Sequence, residues 1–335
     1  MSNPQAEYEQ LAQQIGDECP LIAAALHGLL RHRTDNFDAY FQQVCLNSAV
    51  DGTKASVCCH YLRRDGNGNV RVADLAARLR DEVVNYSIPR SRIESAVEHY
   101  HTTKSMHKVG RLEQEARKLF ADVRKSGEGG EVLLYVLSET VLQLPQVLCK
   151  MPLKTNPNVH YHGVDGIHGS VDSETGMLAL YWGESKLHKS VGSAVAGCMA
   201  SVAPYVLSDG GSGAPVHRDL ELLRDNVDFA DADLEAAFRK YLDPDDVDFL
   251  KVQYRAVCLV GFDLEDYADP FDPDDREKIA DAAAKAMKSW NDMVKAGVVK
   301  QKLDTAHLHV FCVPFPSVEA FRETFLKELG LGDAT

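Results

Sequence analysis

The chain has 335 residues, 45% of them hydrophobic and 26% charged, a make-up that excludes a fibre or a disordered chain and allows one large core or two ordinary ones. A net charge of −14 excludes a surface coated in phosphate-binding groups, so any dealings with nucleic acid need a local basic patch, metal ions or a partner. Eight scattered cysteines without a CxxC pair exclude a zinc ribbon and a thioredoxin-like motif. Cys258 in AVCLVG and Cys312 in HVFCVPF read as small hydrophobes, and a reducing, cytoplasmic setting is expected. The opening MSNPQAEYEQ carries no basic and apolar leader pattern, so no secretory signal is expected.

In chain order, Leu11, Ile15, Ile22, Ala25 and Leu29 recur at helical spacing, and residues 8–47 are expected to be largely helical. SVCCHYLRR predicts a short strand, DGNGN a turn, and Val70 a second short strand. The stretch from Asp65 begins like a calcium loop. It fails at Val70, where glycine is needed, and at Ala76, where glutamate should chelate, so it reads as a turn. Helices are expected over 73–86, 90–100 and 108–124. Ser126–Gly130 breaks that pattern, and a further helix, GEVLLYVLSETVLQ, follows at once. VHYHGVDGIHGSV and MLALYWGESK then predict two strands joined by the turn DSETG.

Ser190–Ser208 is uncharged but only about 19 residues long, rich in small side chains and interrupted by Pro204. It predicts a buried core helix packing closely through Gly192, Ala196 and Ala200, not a membrane span. SDGGSGAP separates it from an acid-rich helical region, Asp219–Asp248. The strand YRAVCLVGF, a long helix over 274–296, the strand AHLHVFCVPF and a last helix over 317–329 complete the chain. The alternation predicts an α/β protein with a mixed central sheet flanked by helices. Residues 1–110 are expected to form a mostly helical N-terminal region and 111–335 the domain that carries the chemistry.

That chemistry is expected on the hairpin. With its turn centred between Glu174 and Thr175, residues whose numbers sum to 349 lie opposite each other, as Asp165 and Glu184 do. Cross-strand Cβ atoms sit about 4.5–5.5 Å apart, where two carboxylates repel unless a divalent cation lies between them. Lys186 falls on the same face as Glu184, and an ammonium there can orient a water molecule or offset charge on a phosphate. The Ser185 carbonyl is an additional expected metal ligand. Asp165 followed by Glu184-x-Lys186 on a hairpin is the PD-(D/E)xK pattern, with Val164 in place of its proline. A third carboxylate is expected from the preceding helix, Glu131 by preference, with Glu139 in reserve. A plain Glu184–Lys186 surface ion pair is the structural alternative.

The runs CKMPLKTNPNVHYHGVDGIHG and LALYWGESKLHKS resemble the HamA family of the Hachiman anti-phage defence systems, as does HLHVFCVPFPSVEAFRETF near the end. The resemblance implies a restriction-endonuclease-like nuclease that cuts DNA with little sequence preference, using Mg2+ or Mn2+, under the control of a HamB-like helicase partner. On the matching positions Asp165 and Glu184 would hold metal and Lys186 would be the catalytic lysine. Lys150, Lys154, Lys186, Lys189, His160, His162, His168 and His188 are the positive or protonatable groups near the motif, and most of them read as solvated. A transition-metal site from His160, His162, Asp165 and His168 is the lesser reading, with Lys186 close by. No GxxxxGK[ST], GxSxG or HExxH occurs, so any ATP dependence is the partner's. A non-catalytic, helicase-regulating subunit is the rival reading, and RNA is not distinguished from DNA by a site that reads phosphates.

Overall fold

Strands buried on both faces need apolar residues at odd and even positions alike, and the C-terminal strands have them. In β6 (Val252–Asp263), Ala256, Cys258, Val260 and Phe262 enter one core, while Val257 and Leu259 enter the other. In β7 (Leu308–Phe315), Leu308, Val310 and Cys312 alternate in the same way with Phe311, Val313 and Phe315. A computed structural model of the chain describes residues 22–31, 37–120, 127–148, 150–151, 164–207, 214–264 and 273–331, with backbone alone for 273–285.

These strands are the centre of a seven-stranded mixed sheet of order β1-β2-β7-β6-β5-β4-β3. The remaining strands are β1 (Phe41–Ala49), β2 (Ala55–Leu62), β3 (Gln146–Leu148), β4 (Gly166–Val171) and β5 (Leu178–His188). Strands β2, β7, β6 and β5 run parallel, and an antiparallel pairing flanks them on each side. Helices cover both faces. Residues 22–28 (α1), α6 (Val191–Val206), α7 (Pro215–Asn226), α8 (Ala232–Lys240) and α9 (Pro273–Lys300) contribute to one core. The other core is built by α2 (Val72–Ser87), α3 (Arg90–Thr103), α4 (His107–Leu119), α5 (Glu128–Val141) and α10 (Val318–Glu328).

Two expectations give way here. The helical reading of residues 8–47, of which 8–21 lie outside the described residues, fails at Phe41–Ala49, an edge strand that alternates only loosely because its pairing with β2 shifts register between Gln43 and Cys45 and again between Cys45 and Ser48. The expected small-residue face of α6 is also reversed: Gly192, Ala196 and Ala200 are exposed, and Ala194, Val195, Cys198, Met199 and Val202 pack on the sheet. Among the described residues no helix is long and apolar enough to cross a membrane. Through the β2–β7 pairing, strands from both sides of residue 110 share one sheet.

Candidate functional site

The hairpin keeps the register expected from its turn. Val171 faces Leu178, Ile167 faces Trp182 and Gly166 faces Gly183. Asp172 fixes the turn, its Oδ1 accepting the Glu174 and Thr175 amides at 3.1 and 2.9 Å, while Gly176 takes φ 66°. Beyond Gly183 the ladder ends, because β4 starts at Gly166 and β5 runs on to His188. Asp165 closes this open edge: its amide donates to the Gly183 carbonyl at 2.8 Å, and its Oδ2 accepts the Ser185 amide at 2.7 Å. A strand residue directs its N–H and C=O toward the same neighbour, so the Ser185 carbonyl also faces the Asp165 edge.

Glu184 and Lys186 lie on the α6 face of β5. The Lys186 ammonium contacts Glu184 Oε1, and Ser201 of α6 hydrogen-bonds the same carboxylate. Gly197 makes room for the lysine stem, since a Cβ there would lie 3.1 Å from Lys186 Cγ. Glu131 arrives on the first turn of α5. Gly129 and Gly130 let that turn press against α10 and β5, where added Cβ atoms would come within 3.1 Å of Phe321, Phe325, Leu187 and Ser185 Oγ. SGEGG thus marks a close approach as well as a break.

The three carboxylates act on one another. Burial, then Glu131 and Glu184, pushes the Asp165 carboxyl well above the usual carboxylate range, against the Ser185 amide and Lys186, which pull it down. Burial raises Glu184 as well, opposed by Lys186 and Ser201. For Lys186, burial works against the charged form, but Glu184 and Asp165 outweigh it and the ammonium is held more tightly than usual. Among the described residues no group of three His, Cys, Asp or Glu side chains is gathered closely enough to form a ready-made metal cage. The oxygen donors nevertheless suit a hard divalent cation, whose charge would relieve the crowding of Asp165 by its two acidic neighbours.

Glu139 is placed elsewhere. Two turns further along α5, it is fully buried and accepts the Arg31 amide at 2.9 Å and the Gln146 amide at 3.3 Å. His168 is buried too: its ring Nδ1–H donates to the Leu144 carbonyl at 2.9 Å, and burial lowers its pKa, so it does not serve as a solvated positive charge. His188 and Lys189 are exposed, while His160, His162 and Lys154 lie outside the described residues. Tyr86, on the last turn of α2, was not anticipated. Its hydroxyl donates to Glu131 Oε2 at 3.0 Å and lies 3.4 Å from the Asp165 carbonyl oxygen. In the sequence it is one aromatic residue on an amphipathic helix, and nothing local marks it out.

The fold and the cluster together define a mixed α/β protein with an acidic, lysine-containing centre at the open end of a hairpin. The chain belongs to the HamA family, whose model matches residues 38–329, and so to a family of Hachiman anti-phage defence. The resemblance drawn from the three sequence runs is thereby borne out. No curated protein matches the chain.

Proposed function

We propose that the protein is a metal-dependent DNA nuclease of the PD-(D/E)xK type, the effector of a defence system and held in check by a helicase partner. One observation carries the reading: the charges of Asp165, Glu184 and Glu131, drawn from a strand end, a strand and a helix start, act on one another beside Lys186. A bare fold gains nothing from that arrangement, whereas phosphodiester hydrolysis uses it. Asp165, Glu184 and the Ser185 carbonyl would hold Mg2+ or Mn2+, with Glu131 as an auxiliary carboxylate. The cation would supply charge neutralisation at the phosphate and acidify a bound water. Lys186, kept charged by Glu184, orients the attacking water and faces the charge that builds on the phosphate. Tyr86 anchors Glu131 by a hydrogen bond from its hydroxyl.

The net charge of −14 fits an enzyme whose DNA is delivered by a partner. The test is cleavage of linear and supercoiled DNA by the purified chain with Mg2+ or EDTA, and again with helicase, ATP and damaged DNA. Lys186→Ala should lower cutting by at least about a hundredfold in whichever setting is active. Silence of the wild type in every setting would favour the second reading, a non-catalytic regulatory subunit, which the direct Lys186–Glu184 ion pair also suits.

A further inference from the structure

Asp219, which the sequence groups with a solvated acidic stretch, is fully buried on α7. Its Oδ2 accepts the Lys150 ammonium at 2.6 Å and the Trp182 indole N–H at 3.2 Å. Its Oδ1 makes no hydrogen bond among the described residues, and Arg218 Nη2 stands 3.7 Å away. As a structural device this is a poor one, since a buried ion pair serves a fold no better than apolar side chains of the same shape.

Its position suggests a different purpose. Trp182 precedes Glu184 by two residues on the same face of β5. Tyr205 of α6 stacks on Trp182, ring centroids 6.0 Å apart, and its hydroxyl is hydrogen-bonded to the backbone of Val164, the residue before Asp165. Lys150 lies two residues beyond β3, and Asp165 is among the charges that act on it. Its side chain is 11% exposed, so it is not one of the solvated cations the sequence suggests, yet it still reaches the surface. An ammonium has three N–H donors, and Asp219 takes one. Lys186, by contrast, is engaged by a carboxylate of the cluster itself.

We infer that Lys150, tied through the buried Asp219 to Trp182 two residues before Glu184, is a second phosphate-contacting cation of this site, so that a nucleic-acid strand at the carboxylate centre meets two ammonium groups. The inference rests on the nuclease reading in that both require a phosphodiester at this centre.

The test uses the full chain, a fluorescent short DNA duplex read by anisotropy without divalent cations, and cleavage kinetics with Mn2+ over a range of DNA concentrations. Lys150→Met should weaken binding and raise KM by about ten- to a hundredfold, with kcat changed far less. Lys150→Arg should recover most of the loss. Lys186→Ala should lose kcat by a far larger factor than it loses binding. Because a single substitution leaves Asp219 buried without its closest cation, the double variant Lys150→Met with Asp219→Leu replaces the pair by apolar groups; it should fold and still bind DNA weakly. Normal binding by the folded double variant, or a Lys150→Met loss that arginine does not restore, would overturn the inference while leaving the nuclease reading in place. Wild-type protein that binds DNA through Lys150 but does not cut even with helicase, ATP and damaged DNA would sink the nuclease reading and support the phosphate contact. Wild-type protein that neither binds nor cuts, alone or with helicase, ATP and damaged DNA, would overturn both.

Discussion

Burial, then Glu131 and Glu184, raises the Asp165 carboxyl above its value in the unfolded chain. The folded protein therefore keeps this proton at a pH where the unfolded chain has released it. The stabilising contribution is fully present below the unfolded carboxylate range and is lost as pH rises through the raised value. Asp165→Asn removes that titration, so at neutral pH the metal-free variant should melt above the wild type, and the gap should close on acidification. A gap that does not change with pH would show that Asp165 is not crowded by its neighbours. Mg2+ or Mn2+ should raise the melting temperature of the wild type and have little effect on the variant. Tyr86→Phe deletes one hydroxyl and should cost about 0.5–1.5 kcal/mol in denaturant unfolding, with weaker metal-induced stabilisation because Glu131 loses its anchor. At this scale Asp165, Glu184 and Lys186 were legible, since a turn and a two-residue period are enough to relate them. Tyr86 and Asp219 were not, because each reaches the site from a segment far away in the chain.

The double glycine at the start of α5 sets how closely that helix sits on the end of β5. Gly130→Val would drive its side chain into Leu187 and Ser185 Oγ, and should cost about 1–3 kcal/mol in unfolding free energy. Glu131 is the next residue, so metal-induced stabilisation should fall with it; a variant with unchanged stability and metal response would mean that the helix start can shift without consequence. Most elements declared themselves through local patterns, β6 and β7 by apolar runs; α6 and α10 are in addition capped by Ser190 and Ser317, which accept the amides of Ser193 and Ala320. Phe41–Ala49 did not, because a polar edge strand carries neither a helical nor a clean two-residue period. Small residues on α6 suggested close packing, yet the larger Val195, Met199 and Val202 face the sheet, and burial followed size and hydrophobicity.

On the scale of the molecule, the parallel strand β7 lies between β2 and β6, so its edges are satisfied by strands from both ends of the chain. A truncation lacking residues 1–110 would strip β2 from β7, remove α2 with Tyr86, and leave an apolar strand edge open to other chains. It should aggregate or give an expanded, non-cooperative unfolding transition, whereas a soluble, cooperatively folding fragment would show that the C-terminal core closes without them. Turn chemistry, hydrophobic period and capping are properties of neighbouring residues, which is why the hairpin register, most helices and the Asp165–Glu184–Lys186 relation could be read directly from the chain. Strand order, the role of β1 and β2 in the central sheet, the burial of Asp219 and His168, and the choice of Glu131 over Glu139 beside Asp165 depend on contacts across long stretches of chain. Such contacts are selected by the joint packing of both sheet faces, and no local pattern encodes them.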